Sequence, residues 1–314
     1  MRHHGHARHR SPAAVTASRH LSNISVTVGP LSPSDRPLIR RTSPCPHCQS
    51  TATIERPDRT ALGYRRCRCR TCKRGFNERT GTLYNRLQYP TDAVCLVVLW
   101  RFRYKPSLRD LAEMLLQRGL VFTPEAIRDW EGKLAPSPID ILRQKRYRAV
   151  RESGYVGATS VRVQGQWEDL YRAIDRDGNF VDVRLSDTRD LSAAGAFFRS
   201  AWTVTGVTPD RITTDGHEAY PRAIRKVFGK RVLHRTNRYL NNHLEQDHRG
   251  IKPRYRPMGG FKAFPTAAPF CRLFDELRAL FRPQSHRNQC LSVRQLRCLH
   301  RDRFAQFMGM MAPA

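Results

Sequence analysis

The chain is short of acids. Among 314 residues, Asp and Glu number 27 against 56 Lys and Arg, a formal charge of +29. That imbalance says nothing about fold but much about partners, and nucleic acid is the first reading, because a phosphate backbone rewards each Lys or Arg contact by releasing counterions. A coding bias toward arginine would raise the same figure. Long apolar runs are missing too: no stretch reaches the ~18 consecutive apolar residues of a membrane-spanning helix, so no membrane partner is expected. The opening MRHHGHARHRSPAAV is basic but has no apolar segment of the secretory kind. Nine cysteines in such a chain predict a reducing, cytoplasmic setting, where clustered thiols serve as metal ligands rather than disulfides.

Residues 1–43 are rich in Arg, His, Ser and Pro and poor in large apolar side chains, which predicts a disordered basic tail. Residues 44–86 carry two C-x-x-C knuckles, Cys45/Cys48 and Cys69/Cys72, with 20 residues between them. Each knuckle aims two thiolates at one ion and four complete a tetrahedron, so a Zn2+ ribbon is expected. Cys67 is a rival ligand, since C-x-C-x-x-C offers three thiolates on one side. Arg65, Arg66, Arg68, Arg70, Lys73 and Arg74 would rim the ribbon and grip a DNA backbone.

Residues 87–135 read as helical. Ser107 and Thr123 are cap residues, the second followed by Pro124. Leu108, Leu111, Met114 and Leu115 form one stripe, and Ile127 and Trp130 another. Helix, short turn, helix predicts a helix-turn-helix whose last helix presents Arg128 and Lys133 to DNA; an ordinary helical hairpin would show the same pattern. The prolines of APSP mark 136–153 as a linker.

From residue 154 the pattern turns to strands. VGATSVRVQ, EDLYRAIDR and NFVDVRLS follow one another across the turns Gly165-Gln166 and Asp177-Gly178. Then helix and strand alternate: LSAAGAFFRSAWTV, DRITTD, AYPRAIRKVF, RVLHRT. That order predicts an α/β domain over 154–285, followed by a basic C-terminal tail over 286–314 in which LSVRQLRCLHRDRFAQFM has amphipathic spacing. Asp215 ends one strand, and Glu245 lies 30 positions later on a polar, basic helix candidate. Two carboxylates so disposed can hold divalent ions that activate an attacking oxygen at a phosphodiester, although most aspartates at strand ends are turn formers.

The runs WEDLYRAIDRDGNFVDVRLSDTRD, DRITTDGHEAYPRAI and NNHLEQDHRGIKPRYRPMGGFKAF resemble the DDE transposases of bacterial insertion sequences, and most nearly the insertion sequence six family. The likeness spans roughly Cys45 to Arg282. It implies an RNase H-like (DDE transposase/integrase) catalytic domain preceded by a zinc ribbon and a helix-turn-helix. It further implies DNA cleavage and strand transfer by three carboxylates with Mg2+ or Mn2+, and a nucleoid-associated homodimer acting on double-stranded DNA, both terminal inverted repeats and target. Asp215 and Glu245 occupy the second and third acidic positions. His248, Lys252, Arg254 and Arg256 extend a basic face toward DNA.

One position departs from the family. Its first acid lies in a strand read Asp-Glu-Thr, and here the aligned run is VGATSVRVQ, with Gly157 at the Asp position and Ala158 at the Glu position. Asp175 is no special replacement, since similar family members carry an acid there beside an intact first Asp. Glu168 and Asp169, near a turn, are expected to point away. Impaired catalysis with retained DNA binding follows; the alternative is a domesticated DNA-binding regulator.

Overall fold

A computed structural model describes residues 44–104, 106–236, 244, 248–283 and 291–311. The expected disordered tail, 1–43, lies outside the described residues, as does Glu245.

The first knuckle precedes, and the second joins β2 to β3 within, a three-stranded antiparallel sheet of β1 (Thr53–Arg59), β2 (Arg65–Cys69) and β3 (Gly75–Asn77), in that order. The β1–β2 turn closes with the Thr60 amide donating to the Tyr64 carbonyl. Gly63 takes φ +80° there, a conformation that glycine adopts without steric cost.

Helix α1 (Thr91–Arg103) follows, then α2 (Leu108–Leu116) and α3 (Pro124–Leu134). The predicted caps hold. Ser107 and Asp110 exchange side-chain-to-backbone bonds in a capping box, and Thr123 accepts from the Ala126 amide with Pro124 at the first turn. Leu111, Leu115, Ile127, Trp130 and Leu134 are buried. Met114, expected inward, is exposed: it lies to one side of the Leu111–Leu115 line on a helix that is covered only along a narrow stripe.

The first half of the expected linker 136–153 is instead a helix, α4 (Pro136–Gln144). Proline in the first turn forfeits only an amide that has no helical acceptor, so the proline pair opens a helix here rather than marking a gap. Ile139 and Leu142 are buried in the main core. Arg143 donates to Asp182 at 2.6 Å and to Ser200 at 3.0 Å, and Arg146 pairs with both oxygens of buried Glu276.

The larger sheet has the order β6-β5-β4-β7-β8. Strands β4 (Ser153–Val163), β5 (Gln166–Asp175) and β6 (Phe180–Ser186) are antiparallel, while β7 (Arg211–Thr214) runs parallel to β4 and β8 (Leu233–Thr236) parallel to β7. This is the RNase H-like arrangement. Alternation along β5 assigns the two faces. Tyr171 and Ala173 join Phe197, Phe198, Tyr220 and Ala223 of α5 (Leu191–Thr205) and α6 (Ala219–Phe228). Leu170, with Val161, Val163 and Val183, joins a second core. A short turn of helix, α7 (Lys252–Tyr255), leads to α8 (Phe264–Phe281), which supplies Phe270, Leu273 and Leu277 to that core. Part of the expected C-terminal tail is α9 (Val293–Met311), and its Phe307, Met310 and Met311 are buried in the same core. Among the described residues no helix is long and apolar enough to cross a membrane.

Candidate active site and nucleic-acid interface

Strand β7 is four residues long and ends one residue before Asp215. Its register against β4 runs from Ser153↔Arg211 to Val156↔Thr214. One further step along both strands sets Gly157 beside Asp215. Gly157, itself buried within β4, is therefore a neighbour of Asp215, and it carries no side chain. On the other side Gly157 faces Arg172 of β5, and Ala158 faces Tyr171.

Asp215 is partly buried. Its Oδ2 accepts from Arg189 Nη2 at 2.9 Å, and its Oδ1 accepts from the His217 amide at 3.3 Å. Arg189 sits in the β6–α5 loop, held by Asp190, whose carboxylate caps α5 through the Ala193 amide at 2.8 Å. Nothing in the local sequence marks Arg189; the TRDL segment reads only as a helix start. Two fully buried tyrosines, Tyr171 and Tyr220, line the same region, and burial pushes the Tyr171 hydroxyl up to about 12.

No other described acid completes a divalent-metal site. Asp175 is buried and spent on the β5–β6 turn, accepting from the amides of Asp177 and Asn179 at 2.9 and 2.8 Å. Asp169 faces Ser160, three positions beyond Gly157 on the Ala158 side of the sheet. Among the described residues the one group of three or more His, Cys, Asp or Glu that converges on a point is the cysteine cluster. The residues described around Asp215 thus do not fit a two-ion carboxylate site, and the nearest countercharge to Asp215 is an arginine.

The cysteine cluster does fit a metal. The Sγ atoms of Cys45, Cys48, Cys69 and Cys72 all lie within 4.8 Å of one another, with Cys45–Cys72 and Cys48–Cys69 each at 3.6 Å. A tetrahedral ion with Zn–S near 2.3 Å needs sulfur separations of about 3.8 Å. The Cys72 amide points at Cys69 Sγ from 3.5 Å and holds its thiol down to about 6, favouring the thiolate. Cys67 is outside the set: it lies within β2, opposite Glu55 and Phe76.

Two expected DNA contacts are corrected. His248 is 1% exposed and Arg254 8%. Burial, with Arg172, Lys252 and Arg278 around it, pushes the His248 imidazole down to about 3, so it is neutral and enclosed rather than a surface cation. Arg254 donates to the Arg101 carbonyl, and burial pushes it down to about 10. Arg254 thus belongs to an internal network that runs from α7 to α1, where Arg101 also pairs with Glu131. Lys252 is half-buried and Arg256 exposed. On α3, Arg128 and Lys133 are both exposed, and the pairing of Glu131 with Arg101 takes one acid off the outer surface. Arg66, Arg68, Arg70, Lys73 and Arg74 stand exposed on the ribbon, while Arg65 is held by Glu78 at 2.5 Å.

A family model described as a DDE domain matches residues 152–284. The transposase for insertion sequence-like element IS431mec of Staphylococcus aureus is 33% identical over 171 residues, which cover 53% of this chain and 75% of that protein. The transposase for insertion sequence element IS257 in transposon Tn4003, also from Staphylococcus aureus, matches with the same identity and coverage. Among solved structures, the HTLV-2 integrase catalytic core domain in complex with magnesium aligns over 44% of this chain and 91% of that one, at 14% identity and a TM-score of 0.34. With its strand order, its Asp215 and these relatives together, the chain belongs to the DDE transposases of the insertion sequence six family.

Proposed function

We propose that this chain binds transposon-end DNA and that its strand-transfer chemistry is crippled at the first acidic position. The observation that carries the reading is the β4–β7 register, in which Gly157 falls beside Asp215. A carboxylate there would stand one strand away from Asp215; a glycine offers no ligand. Asp215 and Glu245 are the two motif acids the sequence retains, and Mg2+ or Mn2+ is the ion they would hold in a restored site. That metal would neutralise charge developing at the phosphoryl centre, a contribution of several kcal/mol. At about 1.4 kcal/mol for each tenfold, losing a shared ligand costs roughly three orders of magnitude in rate.

DNA recognition is independent of Gly157. Cys45, Cys48, Cys69 and Cys72 hold one structural Zn2+, and the ribbon's exposed arginines contact phosphates. Helix α3 lies in the major groove with Arg128 and Lys133 at the DNA, Arg256 and Lys252 adding backbone contacts nearer the catalytic fold. The working unit is a homodimer on paired terminal repeats. A second reading, a domesticated regulator, is favoured by the Arg189–Asp215 ion pair, which leaves the second acid already neutralised beside an intact binding helix.

The test is DNA binding to fragments from both flanks of the reading frame against scrambled fragments of equal length. Preference for the flanks supports a transposon-end protein, and preference for an unrelated genomic site supports the regulator. Equal binding to all sequences contradicts both.

A further inference from the structure

The most exposed aromatic side chain among the described residues is Trp167, at 64%. It stands at the start of β5, directly across the ladder from Arg162 of β4, which is also exposed. An indole in that position covers no core. Its rung continues the face that carries Ala158 and Tyr171, but α5 and α6 cover only the deeper rungs: Tyr171 is fully buried, Asp169 half-buried, and Ser160 and Trp167 open.

The platform beneath it is rigid. Gln164 and Gly165 both take positive φ, +51° and +83°, so the hairpin closes through a two-residue turn whose twist suits the strands. The tip is tied from the side by two backbone bonds, Gln164 to the Phe261 carbonyl and Phe261 to the Arg162 carbonyl, each 2.8 Å. Gly260 makes that approach possible, since a Cβ there would stand 3.0 Å from the Arg162 carbonyl oxygen. The same segment brings exposed Lys262 next to Phe261. On the reverse side Val161 and Val163 are buried, which fixes the outward direction of Arg162 and Trp167.

Distance links this platform to the acid site. From Ala158 to Arg162 is four residues of extended strand, about 13 Å. A DNA strand advances about 3.4 Å per nucleotide, so a strand with its reacting phosphate at Asp215 reaches Trp167 after about four nucleotides. We propose that the Arg162–Trp167 rung is a stacking platform for an unpaired base about four nucleotides from the phosphate at Asp215, with Arg162 and Lys262 holding the backbone beside it. An indole face accepts any base, so the platform grips an opened DNA end without reading its sequence. Asp169, one rung deeper, repels phosphate and leaves the base rather than the backbone as the group facing the sheet. The proposal rests on the reading that this chain binds DNA ends.

The test compares two probes drawn from the flank of the reading frame, a blunt duplex and the same duplex with a four-nucleotide unpaired tail. Full-length chain, Trp167→Ala and Trp167→Phe are titrated against each by fluorescence anisotropy at one fixed salt concentration. Trp167→Ala is expected to bind the tailed probe about tenfold more weakly, with blunt-duplex affinity unchanged, and Trp167→Phe to keep most of the tailed affinity. Equal binding of the tailed probe by wild type and Trp167→Ala overturns the platform and leaves end binding standing. Loss of self-association in Trp167→Ala, with both DNA affinities intact, overturns it in favour of a contact between copies. A wild-type chain that binds neither probe removes the DNA reading itself, and the platform with it.

Discussion

His248, three positions after Glu245, illustrates what a buried titratable group does to a fold. Its imidazole stands at about 3 in the folded chain against an ordinary 6.5. The folded state therefore holds fewer protons than the unfolded state between those values. This contribution is complete above pH 6.5 and is lost as pH falls toward 3, reaching about 2 kcal/mol by pH 5. Melting temperature should fall between pH 7.5 and pH 5, and His248→Gln should flatten that fall; an unchanged slope in the variant would show that His248 titrates normally. Asp182 is a second case. It is fully buried and accepts from Arg143 and Ser200. Asp182→Ala strands the Arg143 guanidinium half inside the protein, and a loss of about 3 kcal/mol is expected in denaturant titrations. A loss below about 1 kcal/mol would mean that α4 is not fastened there.

At the scale of elements, the cysteine cluster and the capped helices α2 and α3 were legible because their signals are local. Cysteine spacing, a capping box and a Thr-Pro helix start each act within a few residues. Helix α4 and the burial of Arg254 were not legible, because their partners are distant in sequence: Arg143 with Asp182, Arg254 with the Arg101 carbonyl. Read alone, a run of basic residues looks like a solvated face, and only the far carboxylate or carbonyl reveals that it is interior. The ribbon makes a direct prediction. Cys67→Ala should retain one zinc per chain by metal analysis, whereas Cys69→Ala should lose it together with the circular dichroism of β1–β3; zinc loss in Cys67→Ala would restore the rival ligand set. Helix α3 makes another. Removing Arg128 and Lys133 together should weaken binding to all DNA sequences if both meet phosphates, lowering the salt dependence by about one ion per contact. A changed preference at one base pair would instead assign either residue to base reading.

Over the whole molecule, the order of strands was readable and the state of the site only half so. The alternation of antiparallel strands, helices and short apolar strands gives an α/β domain from periodicity, and the motif blocks add the RNase H-like reading. The glycine at position 157 was visible in the sequence, but its consequence depends on a parallel register that no local pattern encodes. That register brings Gly157 level with Asp215, and Arg189, from the β6–α5 loop, pairs with Asp215. The protein thus has the fold of a transposase-family domain and an internal salt bridge at Asp215.

Strand nicking of flank-derived DNA, in Mg2+ and separately in Mn2+, tests this account most directly when wild type and the Gly157→Asp/Ala158→Glu double variant are assayed side by side at equal DNA occupancy. The account predicts binding without nicking for the wild type and metal-dependent nicking at the repeat end for the double variant. Efficient nicking by the wild type, or none by a double variant that still binds, would contradict the assignment of Gly157 as the missing acid.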